Sequence, residues 1–290
     1  MTEHSRVARD SIRRYYDENT KLFLRFGREN ETYTIHRALW FQGITAAPDA
    51  LNASNALLRA EIETWRAAHP QYARAQMLDL GCGVGGTLFY LLERDASLRG
   101  IGVTLSAVQA EIARARANEI RLAERALIVQ GDFQAIPAAQ NFDLVYSIEA
   151  FVHATQPAQY FHQVARVLKP GGRFILCDDF RVESRAQNQH ARAWLDAYER
   201  GWHVPQLQTI AQVQHMANEN GLQLVTNREL TPYLKLRALP DFIARAIRDV
   251  GARLPFHHPI VPSMLGSMAL QQCLQMGWIE YRWLVWEKPA

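Results

Sequence analysis

The residues best placed to do chemistry lie in the middle of the chain. Gly81, Gly83 and Gly86 follow the short apolar run Met77-Leu78-Asp79-Leu80. A strand that runs into glycines lets the backbone approach a bound nucleotide closely, and the helix after it offers unpaired N–H groups. The same spacing also makes a plain tight turn, or the dinucleotide site of a nicotinamide enzyme, so alone it does not choose the ligand. Asp79 sits two residues before the first glycine, and Gly131-Asp132 closes a later apolar run. Glu149 follows the run Phe142–Ile148, with Phe151 and Val152 just beyond. A carboxylate among such neighbours is partly desolvated and is able to act as a base or to steady a cation. The plainer alternative is a solvated acid or a helix-capping partner.

The elements that must hold these residues alternate. MLDL, RGIGVTLS, ALIVQGD, FDLVYSIEA and RFILCDDF read as short strands, separated by helical stretches such as TLFYLLERD and AVQAEIARARANEIRL. The segment YFHQVARVLKPGG reads as a helix stopped by Pro170-Gly171-Gly172. Such alternation means βαβ units: an α/β, doubly wound, Rossmann-like parallel sheet with helices on both faces. Ligands in such a sheet bind beyond the carboxyl ends of the strands. GLQLVTNREL reads as a sixth strand and IEYRWLVWEK as a closing one. Residues 1–75 form a mostly helical extension, with an apolar stripe of Leu57, Leu58, Ile62 and Trp65 over Ala53–Ala68. Gly27–Gly43 mixes polar and aromatic residues without a period and reads as a loop, able to lie over a pocket. The core occupies 76–290, with a polar helical insertion at about 184–220 that carries Trp194, Tyr198, Trp202 and His203. Tyr233–Val250 and MALQQCLQMG read as helices, and PFHHPIVP between them as a Pro-broken loop.

Five of these elements in order, LDLGCGVGG, GVTLSAVQ, QGDF, FDLVYSIEA and LKPGGRF, resemble the signature of class I S-adenosylmethionine-dependent methyltransferases over about residues 76–180. The resemblance implies S-adenosylmethionine as cofactor. It sets Asp79 and Gly81 beside the methionine part, Gly83 against its backbone, Asp132 on the adenine amino group and Phe133 beside the ring. Family members often hold the ribose hydroxyls with an acid at the end of the second strand. Here that place is Thr104, with Gln109 in the next helix as substitute.

YSIEAFVHA is similar to the segment after the fourth strand of sterol C-methyltransferases and of bacterial geranyl-diphosphate C-methyltransferases. WLDAYERGWH, YLKLRALPDFIARAI and ETYTIHRALW extend the second likeness. It implies methylation of an alkene carbon of a short prenyl diphosphate, with Glu149 as the base that removes a proton from the resulting carbocation. Tyr33 and Tyr198 would flank that cation, aided by Trp202, while Phe151 and His203 would touch substrate. Asn19, Lys21, Arg25, His36 and Arg37 are candidates for the diphosphate end. Mg²⁺ would come in with the diphosphate, since no DDxxD-like carboxylate cluster offers an all-protein cage. The alternatives are an O- or N-methyltransferase using His153 or His203 as base, a cofactor-binding module without chemistry, or a nicotinamide dehydrogenase. His257 and His258 read as loop residues.

Composition narrows the field. A chain of 290 residues is 48% hydrophobic and 21% charged, which excludes disorder and low-complexity scaffolds. The formal net charge of +3 lacks the basic clustering of a nucleic-acid binder. No apolar run reaches the ~18 residues that span a bilayer, and no apolar stretch follows the first charges as in a secretory signal. Cys82, Cys177 and Cys273 are odd in number, far apart and without CxxC, which points to reduced thiols and a cytoplasmic home. The expected partner is a small-molecule substrate, with no nucleic acid and no membrane, and the aromatic-rich ends suit a homo-oligomer.

Overall fold

The computed structural model describes residues 3–26, 33, 35–136, 141–237, 243 and 260–290, leaving out the side chains of residues 4, 22, 23, 25, 26, 260 and 261. A seven-stranded sheet carries the fold: β1 (Gln76–Leu80), β2 (Arg99–Thr104), β3 (Ala126–Gln130), β4 (Phe142–Ile148), β5 (Leu168–Arg181), β6 (Gln223–Glu229) and β7 (Ile279–Glu287), in the order β3-β2-β1-β4-β5-β7-β6. The pairs β1–β2, β2–β3, β1–β4 and β4–β5 are parallel, as the βαβ alternation requires. The sheet as a whole is mixed rather than parallel, because β7 runs antiparallel between β5 and β6. Side-chain alternation encodes which face a residue buries and not which way its strand runs, so the sequence was silent on this point.

The central strands are largely apolar because both faces of the sheet are covered. Alternate residues go to opposite sides: Met77, Tyr146, Ile175 and Cys177 enter one core cluster, while Leu78, Val145, Phe174 and Leu176 enter the other. The helices over these faces are α1 (Glu3–Phe26), α2 (Ala47–Leu51), α3 (Ala53–Ala68), α4 (Gly86–Arg94), α5 (Ala107–Glu119), α6 (Pro157–Val167), α7 (Gln189–Gly201), α8 (Ile210–Glu219) and α9 (Ile260–Gln275). In α3 the helical stripe buries Leu58, Ile62 and Trp65 completely, and Trp65 stacks on Tyr72 at 4.6 Å between centroids. Burying each such side chain is worth ~1.5–3 kcal/mol.

The helix expected through YFHQVARVLKPGG stops at Val167, and Leu168–Arg173 already belongs to β5. Lys169 there pairs with Asp143 at 2.7 Å, and the Gly171 N–H reaches the Lys288 carbonyl at 2.6 Å. The insertion after β5 is helical, as α7 and α8. The helix read at MALQQCLQMG begins earlier, at Ile260, and so takes in the end of the Pro-containing segment. Most of the helix expected at Tyr233–Val250 lies outside the described residues, as do His257 and His258. All three cysteines are free and buried. Among the described residues no helix is long and apolar enough to cross a membrane.

Candidate active site

β1 and β4 are neighbours whose chain connections leave in opposite directions, so a crevice opens at their carboxyl ends, the usual place for a ligand in a doubly wound sheet. The turn after β1 is fixed by the N–H groups of Gly81 and Cys82, both donated to the Val103 carbonyl at 2.9 Å. Gly81 takes φ +90°, and a Cβ there would meet the Cβ of Ala150 at 2.3 Å. Gly83 takes φ +54°, and a Cβ there would meet nothing within 4 Å. The first glycine is thus demanded by packing. The second keeps an approach to open space clear of side chain.

That space is a chamber of about 420 Å³, lined by Gly81, Gly83, Gly86, Thr104, Gln109, Asp132, Phe133 and Glu149. Thr104 donates its hydroxyl to Gln109 Oε1 at 2.7 Å, so the two residues named for the ribose end act as a bonded pair. Asp132 accepts the Gln134 N–H at 2.8 Å through Oδ1 and faces Arg9 of α1 at 3.7 Å through Oδ2. Asp79 stands one layer back, 4% exposed. Its Oδ2 has no hydrogen-bond partner among the described residues, and burial pushes its carboxyl up to about 7. The set suits S-adenosylmethionine, which offers an adenine, a ribose and an amino acid, and the glycine cradle leaves room for it. Helix α1 closes one side. Its Asp17 accepts the Ser106 hydroxyl at 2.6 Å, at the N-cap of α5.

A second chamber of about 280 Å³ lies next to the first and shares Glu149, His153 and Trp202 with it. Glu149 sits in left-handed backbone at φ 54°, a conformation that costs a non-glycine residue ~1–3 kcal/mol and marks a position held by its surroundings. Oε1 of Glu149 accepts the Arg37 N–H at 3.0 Å and the Tyr281 hydroxyl at 2.7 Å, and lies 3.3 Å from Arg37 Nε. Oε2 takes no partner among the described residues, and the residue lines both chambers. Burial would raise this carboxyl, but the Arg37 and His36 charges with the two donated hydrogen bonds outweigh it and hold it below the usual glutamate range. Glu149 is therefore an ionised acid with one oxygen fixed and one oxygen available.

Behind it, Arg37 Nη1 donates to Asp179 Oδ1 at 2.8 Å, and its guanidinium lies 4.0 Å over the Tyr281 ring. Tyr198 donates its hydroxyl to Asp179 Oδ2 at 3.0 Å. His153 bonds Tyr16 Oη through Nε2 at 2.8 Å, and burial lowers its imidazole to about 4, so the ring is neutral.

The structure brings Glu149, Tyr33, His36 and Trp202 to the first chamber, and Glu149, Arg37, Tyr198 and Trp202 to the second. Tyr33 and Tyr198 thus face different chambers, where the likeness had them flanking one reacting carbon. Phe151 lines neither; it packs in the core against Tyr160, Phe161 and Phe180. His203 faces an outer groove with Ser11 and Pro205, and Ser11 Oγ meets its Nδ1 at 3.0 Å. Asn19 is buried in α1 and gives its amide to the Tyr15 carbonyl at 2.8 Å, and exposed Lys21 lines neither chamber. The Arg25 side chain is outside the described residues. Reading the sequence passed over Tyr16, Tyr281, Asp178 and Asp179. The Asp178-Asp179 pair was visible at the carboxyl end of a strand, where ligands bind. Tyr281 has no local signal, since only the register Asp179↔Tyr281 across β5 and β7 brings it in.

Residues 78–176 match a family described as "Methyltransferase domain". The chain is 33% identical over 158 residues to the 24-methylenesterol C-methyltransferase 2 of Oryza sativa subsp. japonica, covering 53% of this chain and 43% of that protein. It is 36% identical over 107 residues to the tocopherol O-methyltransferase of Arabidopsis thaliana, covering 35% of this chain and 29% of that one. The matches thus span less than half the length of these curated relatives. The crystal structure of geranyl diphosphate C-methyltransferase from Streptomyces coelicolor A3(2), in complex with Mg²⁺, geranyl-S-thiolodiphosphate and S-adenosyl-L-homocysteine, superposes with a TM-score of 0.69 at 18% identity, covering 97% of this chain and 98% of that one. At that identity the likeness is one of fold. The relatives named include both C- and O-methyltransferases. Residues 78–176 thus resemble a methyltransferase domain, and the glycine turn and strand order belong to the fold that the solved structure shares.

Proposed function

We propose that the protein is a C-methyltransferase that alkylates an alkene carbon of an isoprenoid-type small molecule bound in the second chamber. The observation that carries this reading is Glu149: an ionised carboxylate shared by both chambers, with Oε1 tied down and Oε2 free. The sterol and geranyl-diphosphate C-methyltransferases among the comparisons support an isoprenoid acceptor, because their substrates are built from such units.

S-adenosylmethionine, when bound, supplies an electrophilic methyl on a sulfonium centre. The residues around it position and protect. Gly83 leaves its path clear, and Asp132, Phe133 and Gln109 are set to hold the adenosyl part. The second chamber aligns the alkene with the methyl, which is most of what a direct displacement asks of a protein. The π pair forms the new C–CH₃ bond, the S–CH₃ pair returns to sulfur, and the alkene's other carbon is left cationic. Trp202 offers a ring at the junction of the chambers, and a desolvated cation–π contact is worth up to ~2 kcal/mol. Glu149 Oε2 then takes the proton from the neighbouring carbon, and the C–H pair restores the double bond. A depressed pKa does not hinder this step, because a carbocation is a far stronger acid than the carboxyl that receives its proton.

Incubation with S-adenosylmethionine and a panel of prenyl alcohols, prenyl diphosphates, sterols and phenols tests the proposal, with the position of the added methyl read by mass spectrometry and NMR. A methyl on carbon is expected. Transfer confined to oxygen or nitrogen would refute it and favour a second reading with its own support: neutral His153, present in both chambers and bonded to Tyr16, as base for a hydroxyl acceptor.

A further inference from the structure

Building on the reading of the second chamber as the acceptor site, we propose that this chamber takes an uncharged isoprenoid alkene, an alcohol or hydrocarbon of short chain, and rejects the diphosphate form. Apart from Glu149 Oε2, Arg37 Nε and Trp202 Nε1, most of the polar groups that line it are already bonded inside the protein. Asp178 accepts backbone N–H groups through both oxygens, from Asp179 at 2.9 Å and from Val152 at 3.1 Å. Asp179 takes Arg37 on one oxygen and Tyr198 on the other. Ser267 donates its hydroxyl to the Ser263 carbonyl at 2.8 Å, and Gln271 Oε1 accepts the Arg237 N–H at 2.9 Å.

The charge balance points the same way. Among the described lining residues the permanent cations Arg37 and Lys235 are matched by the carboxylates of Glu149 and Asp179, while burial beside Asp179 pushes the third acid, Asp178, up to about 8. Arg37 is clamped between Glu149 and Asp179 and stacked on Tyr281. Lys235 lies exposed at the rim, its Nζ 3.1 Å over the Trp40 ring. A diphosphate would have to strip Arg37 from its carboxylates or lie beside them unpaired, and either course costs more than a neutral head group would. Nor does the donor set fit a metal-borne diphosphate. Among the described residues no three His, Cys, Asp or Glu side chains are grouped to hold an ion, and the oxygens of Asp178 and Asp179 are spent. Beside the free Glu149 oxygen and the rim ammonium of Lys235, what the chamber offers a ligand is apolar: Val152, Leu234, Leu236, Leu270 and Leu274. At about 280 Å³ the space sits below the ~300–1,000 Å³ usual for ligand cavities, which suits a short branched chain better than a polycycle.

Geraniol and geranyl diphosphate share a chain and differ only in the head, so they form the test. Each is titrated into the full-length protein with S-adenosylhomocysteine, with and without Mg²⁺, following tryptophan fluorescence, since Trp40 and Trp202 line the chamber. Each is then turned over with S-adenosylmethionine and the methyl located. Geraniol is expected to bind roughly tenfold or more tightly than the diphosphate. Asp179→Asn, by freeing Arg37, should narrow that preference. Equal or tighter binding of the diphosphate, tightening by Mg²⁺, or binding of neither compound overturns the proposal. So does an unchanged preference in folded Asp179→Asn. Carbon methylation of the diphosphate alone would leave the C-methyltransferase reading standing while removing this one. Methylation of geraniol on its oxygen would do the reverse.

Discussion

At the scale of the residue, the account turns on how one carboxylate is held. Glu149 was legible in the sequence as an acid among apolar neighbours, and such an acid was expected to be a desolvated base. Its surroundings show how that acid stays charged while buried. Arg37 and Tyr281 offset the cost of burial and keep it ionised, with a single oxygen left for the acceptor. Neither partner announced its role: Arg37 had been set aside for a phosphate, and Tyr281 is 132 positions away. Removing the Tyr281 hydroxyl should cost one charge-assisted hydrogen bond, ~1.5 kcal/mol, so Tyr281→Phe should lower kcat about tenfold with KM for S-adenosylmethionine unchanged. A silent variant would mean that the bond does not orient the base. The pH dependence follows from the same contacts. Because the folded carboxyl is held below the usual glutamate range, its ionised form persists as pH falls through that range. The acid limb of kcat should therefore lie below that range in wild type and move up in Tyr281→Phe, a comparison that steady-state rates from pH 4 to 8 would settle.

At the scale of the element, the cofactor half was the more legible. A strand, a glycine turn and a helix are local in sequence, and Gly81 and Gly83 fall in the backbone conformations that their residue type implies. The second chamber, the proposed acceptor site, is assembled from Arg37–Trp40, the turn Phe151–His153, α7, Leu234–Leu236 and α9, which meet only in three dimensions. Local periodicity gave the helices of the cap and could not say which of their residues share a cavity. That is why Phe151 and His203 were expected at the substrate and lie in the core and on the outside, respectively. Helix α1 illustrates the same point. Its charged face reads as solvated, yet Asp17 meets Ser106 and Arg9 meets Asp132, closing the adenosyl side. Asp17→Ala deletes a hydrogen bond and a favourable charge at the start of α5, together ~1 kcal/mol. The dissociation constant of S-adenosylmethionine should rise about fivefold by calorimetry, with little change in melting temperature. An unaltered constant would show that α1 rests on the site without shaping it.

The molecule as a whole couples its cofactor turn to its stability through Asp79. This acid is buried beneath the turn, and its folded pKa of about 7 lies above the ordinary 3.8. The protonated form is the one the fold favours, so its stabilising contribution is full below 3.8 and is lost as pH rises through about 7. Asp79→Asn, which cannot ionise, should flatten the fall of melting temperature between pH 5 and 8; an equally steep fall in the variant would assign the slope to other groups. The overall architecture was legible in class and silent on the direction of β7, because alternation defines faces while the course of β7 depends on where the long excursion after β6 returns. What the complete fold achieves is to set two chambers side by side with Glu149 between them. Glu149→Gln, nearly isosteric but unable to accept the proton, probes that arrangement most directly. Turnover of the carbon acceptor should fall at least ~100-fold, the usual worth of a general base, while calorimetry finds S-adenosylmethionine bound within about twofold of wild type. Retention of full methyl transfer to carbon by this variant would contradict the account.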